Sequence, residues 1–257
     1  MVKLTDVGRV FYGLSIVGLG LLTICYKDFP YMLIPPGHAG VPGFSIIAYT
    51  SGAFLFITGA CIAMNKRTRP ASLLLGTVLL LVFCFYHVPY ELLMSPHYRQ
   101  FGDWENAAKE LTLSAGAFVI AGCTKEVNGG TVTRVFAKLI PLGTILYSLC
   151  IISYSIDHFL FAREAADYVP SWVPWHLFWM YFCGAALLGS GLAILLKIKT
   201  SLAAALLGTM ILIWFVILHA PRVIVSPVAY LGSEISSALL ALAYSGIAFV
   251  ISGAAQH

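Results

Sequence analysis

Eight long apolar runs restrict most strongly how this chain can fold. Spanning the hydrocarbon core of a bilayer takes about 20 mainly apolar residues per helix. Of the 257 residues, 60% are hydrophobic and 10% are charged, whereas about a quarter are charged in soluble domains. We therefore predict an all-α, polytopic membrane protein with eight transmembrane helices, over residues 8–26, 44–64, 71–94, 107–124, 135–160, 174–196, 201–220 and 233–253.

The basic residues indicate how these helices are oriented. Cytoplasmic loops of membrane proteins carry an excess of Lys and Arg. One set of helix ends carries ten of the 15 basic residues: Lys3, Arg9, Lys66, Arg67, Arg69, Lys125, Arg134, Lys138, Lys197 and Lys199. The sequence thus predicts a bacterial inner membrane protein with both termini in the cytoplasm. Because these cations are scattered over short loops, no nucleic-acid surface is expected.

Carboxylates and histidines gather at the opposite helix ends. The positive-inside rule does not explain this, because Asp and Glu contribute little to it. Either longer outer loops hold more polar residues, or a polar site opens at that face. The residues concerned are Asp28, Glu91, Asp103, Glu105, Glu110, Asp157, Glu164, Asp167 and Glu234, with His38, His87, His97, His158, His176 and His219.

An internal repeat divides the chain into two halves. Residues 40–64 align without gaps on residues 172–196, and the same spacing of 132 places His87 on His219. At a spacing of 130, Gly13 aligns with Gly143. We predict two tandem four-helix bundles, covering residues 1–124 and 135–257, joined by a polar linker at 125–134. Since each half has an even number of spans, both copies insert the same way up.

A proline follows each of the aligned histidines by two residues. Pro89 and Pro221 remove a backbone donor and clash with the preceding helical turn. We expect a distortion near residues 84–87 and again near 216–219. The sequence therefore predicts two histidines at one depth that turn toward an outward-facing cavity.

Three residues are candidates for proton-transfer chemistry. His87 and Glu91 are four residues apart and share a helical face. Glu110 lies inside a predicted span, where a carboxylate is costly and marks function. We take Glu110, His87 and Glu91 as candidate catalytic residues; the alternative for His87 is an ordinary interfacial helix end.

The second half supplies most candidate ligand-binding residues. Arg222 aligns with Tyr90, and an Arg facing Glu91 across the two halves would bind an anion or a quinone head group. Aromatic residues at this depth also form an ordinary interfacial belt. The candidates are His219, Arg222, His176, Trp175, Tyr90, Asp157 and His158.

The second half resembles the DoxX-like membrane proteins. The resemblance rests on "VPWHLFW" at 173–179, a Gly-rich second helix, a short basic turn and a histidine that closes the third helix. In the first half, "WENAAKELTLSAGAFVIAG" at 104–122 matches the fourth helix of that family, but Pro42-Gly43-Phe44 replaces the aromatic motif. The resemblance implies a four-helix unit, duplicated in this chain, and a role in redox systems or as a membrane chaperone.

Two classes of function follow, and the residues leave open whether a reaction is catalysed. The first is a redox-associated subunit that binds a quinone or a similar lipophilic molecule and meets a soluble redox partner. The second is a non-catalytic carrier, chaperone or assembly factor. A metal site, or a haem held by His87 and His219 at one depth, is a further alternative.

Overall fold

Long α-helices make up nearly all of the structure, a computed structural model. It describes residues 3–35, 42–95, 100–124, 131–226 and 232–256, without the side chains of 103, 131 and 132. We label the long helices α1 Leu4–Tyr26, α2 Phe44–Ala63, α3 Thr68–Leu93, α4 Glu105–Cys123, α5 Ile140–Leu160, α6 His176–Leu195, α7 Thr200–Val225 and α8 Ser233–Ala254. His38, Val41, His97, Arg99 and 125–130, most of the predicted linker, lie outside the described residues.

Seven of the long helices are long and apolar enough to cross a membrane. They are α1, α2, α3, α5, α6, α7 and α8, with the apolar stretch of α5 beginning at Thr133. The protein is thus a multi-pass membrane protein. Helix α4 is not among the seven, because its first turns carry Glu105, Lys109 and Glu110. It packs against α3, α5 and α8, and most of its residues from Thr112 onward are buried. That α4 is an eighth span stays a prediction.

Both proline-containing helices widen just before the proline. The segments Phe83–His87 and Phe215–His219 are π-helical, and α-helix resumes after each of them. Proline lacks the N–H that would close an α-helical turn, and its ring crowds the carbonyl four residues back. The wider turn accommodates the ring. The predicted distortion is therefore present at both histidines, and each helix continues for six more residues.

Helix pairs in the first half recur in the second. Helix α1 packs against α2 as α5 packs against α6, and α3 packs against α4 as α7 packs against α8. Helix α1 also packs against α8, α4 against α5, and α4 against α8 between them. The helices before and after the linker thus share an extensive interface.

Individual hydrogen bonds recur between α3–α4 and α7–α8. Ser114 Oγ donates to the Gly76 carbonyl oxygen over 2.7 Å, and Ser245 Oγ donates to that of Gly208 over 2.8 Å. A buried serine hydroxyl bonded to a neighbouring helix holds the two backbones close. These contacts match Ser114 with Ser245, a spacing of 131.

The contacts align the residues of α1 and α5 differently from the sequence repeat. A Cβ added at Gly59 would meet the Gly13 carbonyl oxygen at 2.8 Å, and one at Gly191 would meet that of Ser148 at 3.2 Å. By its contacts Gly13 therefore corresponds to Ser148 rather than to Gly143. Small residues recur along many such interfaces, so glycine identity alone misplaces the register.

Replacing Gly246 by alanine should destabilise the packing of α1 against α8. An added Cβ would lie 2.6 Å from the Gly8 carbonyl oxygen, and a backbone atom cannot yield as a flexible side chain can. We expect a loss of about 1–3 kcal/mol, measured as a lower melting temperature in detergent. Gly189→Ala is the matched control, because a Cβ there meets nothing within 4 Å. Equal melting temperatures for the two variants would contradict this packing.

Candidate functional site

Several of the predicted carboxylates and histidines come together at one end of the helix bundle. This end, which we call the histidine end, is formed by the end of α3, the start of α4, the end of α5, the end of α7 and the start of α8. Contacts such as that of His87 with Glu110 join these elements. The clustering predicted from the sequence is thus present, and it divides into a closed pair and an open cavity.

The closed pair consists of His87 on α3 and Glu110 on α4, both fully buried. His87 Nε2 lies 3.1 Å from the Leu33 carbonyl oxygen and 2.9 Å from Glu110 Oε2. A carbonyl oxygen can only accept, so Nε2 carries a proton. That hydrogen bond is directed at Leu33, while Glu110 Oε2 lies off the N–H direction. The loop after α1 thus covers the pair through Leu33.

Glu91 is buried on the same helix as His87, one turn further on. Glu91 Oε2, Glu110 Oε1 and His87 Nδ1 have no hydrogen-bond partner among the described residues. Unpaired polar atoms in a buried site are costly and mark special positions. None of His87, Glu91 and Glu110 lines the three cavities described below. Their predicted catalytic role stays a prediction.

The open site is a cavity of about 400 Å³. We call it the Asp157 cavity. Side chains from α4, α5, α6, α7 and α8 line it, so it lies where the two halves meet. Of the residues predicted from the sequence, Asp157, His158 and His219 line it. A cavity of this size is within the range of small-molecule sites.

Two stacked tyrosines form part of the wall. The rings of Tyr154 and Tyr244 lie 5.7 Å apart at an angle of 15°. Their hydroxyls are 3.2 Å apart, and that of Tyr154 lies 2.8 Å from Thr112 Oγ1. These hydrogen bonds hold both rings in place in the wall of the cavity.

The polar lining includes groups with unused hydrogen-bonding capacity. Both carboxylate oxygens of Asp157 and the Nδ1 atom of His219 are shielded from solvent and have no partner among the described residues. His158 Nδ1 donates to the Tyr154 carbonyl oxygen over 2.8 Å, which leaves Nε2 of the neutral ring as an acceptor. The cavity therefore offers a carboxylate and two imidazoles to a polar head group.

An ion pair lies close to this cavity, at the wall of a neighbouring one. Arg222 Nε donates to Glu234 Oε2 over 2.8 Å, and the second nitrogen of the fork binds Oε1. The guanidinium also lies 4.7 Å from the centre of the Tyr168 ring. Arg222 therefore pairs with Glu234, and the expected pairing across the halves with Glu91 is not formed.

A second polar cavity, of about 500 Å³, lies on the outer side of this ion pair. His176, Asp167 and Arg222 line it, and it shares Tyr168 with the Asp157 cavity. We call it the outer vestibule. His176 thus lies near the mouth of the site rather than within it.

Two predicted binding residues lie apart from these cavities. Trp175 is 78% exposed, and Tyr90 is partly buried. Neither lines the Asp157 cavity or the outer vestibule. An exposed tryptophan at a helix start fits the interfacial belt that the sequence analysis left as the alternative.

Sequence reasoning missed the aromatic wall and the partner of Arg222. Tyr154 precedes His158 by four residues, a spacing that places both on one face of α5. That spacing was a usable signal. No comparable signal joins Tyr244 to Tyr154, or Glu234 to Arg222, because these pairs form only when α8 packs against its neighbours.

One difference between aligned residues of the two halves distinguishes the open site from the closed one. By the serine bonds described above, Glu110 corresponds to Ala241, which lines the Asp157 cavity. In the first half a carboxylate fills this position beside His87. In the second half a methyl group leaves space beside His219.

Comparison with known proteins gives no match: no protein-family model, no curated protein and no solved structure is similar to the chain.

Within the described part of the chain, no group of three His, Cys, Asp or Glu side chains is placed to hold a metal ion. His87 and His219 belong to the closed pair and the open cavity respectively.

Glu110→Ala should destabilise the protein, because it leaves a void and removes the polar group beside His87. We expect a loss of about 1–3 kcal/mol, measured by thermal unfolding in detergent. Glu110→Gln, which keeps the shape and a polar end, should recover most of it. Glu105→Ala is the control, since Glu105 pairs with Lys109 at a partly exposed site, where such pairs contribute about 0–1 kcal/mol. A Glu110→Ala protein as stable as the parent would show that the pair is not structural.

Proposed function

We propose that the protein binds a lipophilic molecule with a polar ring as head group, of the quinone type, in the Asp157 cavity. One observation carries this proposal: the unpaired oxygens of Asp157 and the unpaired Nδ1 of His219 adjoin a cavity with an aromatic wall. Shielded polar groups need partners. A ring with two oxygens, one at each end, would supply partners for both.

His219 is suited to bind the oxidised ligand, and Asp157 is suited to bind the reduced one. An imidazole N–H donates to a quinone carbonyl, which the Nδ1 position of His219 suits when it is protonated. A carboxylate accepts from a quinol hydroxyl, which suits Asp157. The ring would lie along Tyr154 and Tyr244, whose flat faces favour stacking. In this arrangement Asp157 and the neutral imidazole of His219 can each take one of the two hydroxyl protons as the quinol gives up two electrons.

Under this proposal His219 and Asp157 have the proton-transfer role that the sequence analysis assigned to His87, Glu91 and Glu110. The electrons would pass to a soluble redox partner at the histidine end. Arg222 and Glu234 stand at that end with the outer vestibule beyond them. A protein that binds the ring without changing its redox state would instead be a carrier, the second class that the sequence indicated.

We further propose a tandem duplication of a DoxX-like unit, with α4 as an eighth span. The support is local: α2 and α6 have the same length, both π segments precede an aligned proline, and the serine bonds recur. Helix α4 corresponds to α8, an apolar candidate span. Burial among α3, α5 and α8 allows it to carry Glu110 at membrane depth.

We propose a bacterial inner membrane as the location, with both termini in the cytoplasm. At the end of the bundle opposite the histidines, Arg9 binds the carbonyl oxygens of Ile62 and Ala63, and Arg69 binds that of Thr124. The arginines of this end thus close the C-terminal ends of α2 and α4. Their excess there favours the cytoplasmic side.

Asp157→Asn should weaken the binding of reduced 2,3-dimethoxy-5-methyl-1,4-benzoquinone about tenfold, because a shielded hydrogen bond to a carboxylate is lost. The oxidised form should lose less, since the new amide can donate to a carbonyl. Binding is measured by isothermal titration calorimetry on protein in detergent.

Glu164→Gln is the matched control, because this exposed carboxylate lies outside all three cavities. Absence of binding of either form to the parent protein, together with extraction of no quinone from membrane-purified protein, would refute the proposed function.

A further inference from the structure

An apolar groove of about 950 Å³ runs between α6 and α7. It extends from Pro174 at the histidine end to Lys199 at the other end. The α7 residues that line it, from Leu202 to Ile217, cover about 22 Å of helix. The groove is thus a long slot in two apolar candidate spans, nearly free of polar surface.

Small side chains on α6 create this groove. Ala186 and Gly189 line it, and a Cβ added at Gly189 would meet nothing within 4 Å. The aligned positions on α2 hold Phe54 and Ile57. Phe54 packs against the hydrophobic core, and Ile57 is exposed. The second half therefore has small residues at the two positions where the first half carries large side chains.

The groove lies directly beside the Asp157 cavity. Met210 and Trp214 line both. Trp214 Nε1 donates to Cys183 Sγ over 2.9 Å, and the Trp214 ring meets that of Trp179 edge to face at 6.2 Å. These contacts hold Trp214 as the shared wall between the polar cavity and the apolar slot.

We infer that the groove binds the long apolar tail of the molecule whose head group occupies the Asp157 cavity. This inference rests on the proposed function and narrows its ligand class to quinones with an extended hydrocarbon tail. Two features support a tail as the occupant: the slot adjoins the head-group cavity at Met210 and Trp214, and it is long and apolar along the direction of the membrane-spanning helices.

Such a subsite would select ligands that carry a tail, and it would add little to the overall binding affinity. A tail leaving the bilayer gains no hydrophobic free energy, because lipid is as apolar as the groove. The gain comes from close packing along α6 and α7 and from a tail already aligned with its head group. Filling the groove should therefore reduce affinity for tailed ligands and spare the head group alone.

The experiment uses the full-length protein in one detergent with two probes. These are 2,3-dimethoxy-5-methyl-1,4-benzoquinone without a tail and the same ring with a decyl tail. Gly189→Ile gives α6 the residue that α2 carries at the aligned position. We expect unchanged affinity for the tail-free probe and roughly three- to tenfold weaker binding of the decyl probe. Partition of the probe into micelles is equal for both proteins and cancels.

Ala186→Phe is a second groove-filling variant, again copied from the first half, and covers the case in which Gly189→Ile fails to fold. Ile57→Phe is the matched control, because it enlarges an exposed α2 side chain at the aligned position. It should leave the binding of both probes unchanged.

The outcomes separate the two proposals. Failure of the parent protein to bind either probe refutes the proposed function and, with it, this inference. Binding of both probes, with the decyl probe unaffected by Gly189→Ile and Ala186→Phe, refutes the groove alone. If native mass spectrometry then shows that these variants lose a bound phospholipid or a second copy of the chain, the groove serves that occupant instead.

Discussion

The need of polar groups inside a lipid-embedded bundle to find partners governs this structure. Some buried hydroxyls find a partner locally: Thr23 and Thr77 donate to carbonyl oxygens one turn back on their own helices. Others, such as Tyr12 and Ser245, join one helix to the next. Water cannot supply missing partners in the hydrocarbon core. Several groups at the histidine end, Asp157 and His219 among them, have no partner among the described residues, and the proposed binding site rests on this observation.

The same arrangement of helices leads to two different results. In the first half Glu110 reaches His87, and the Leu33 carbonyl oxygen closes the pair from the loop. In the second half Ala241 leaves His219 beside a cavity. In the first half a carboxylate thus occupies the position beside the histidine, and in the second half the corresponding position adjoins a cavity.

Sequence patterns predicted the features that depend on local chemistry. Apolar runs gave seven of the spans, and Pro89 and Pro221 gave the distorted turns. The patterns could not decide which histidine would adjoin space, because that depends on a neighbouring helix, whose Glu110 or Ala241 lies far away in the chain. The register between α1 and α5 was missed for a related reason: it is set by contacts of Gly59 and Gly191, not by matching glycines. Tyr244 and Glu234 joined the site only through packing of α8.

We propose above all that the Asp157 cavity binds a ring-headed lipophilic molecule. An electron cryomicroscopy map of the protein in lipid nanodiscs loaded with a long-tailed benzoquinone tests it most directly. The account predicts planar density beside Tyr154 and Tyr244, within hydrogen-bonding distance of Asp157 or His219. A map that resolves these side chains and shows only water between them, or a cavity filled by protein side chains, would contradict it.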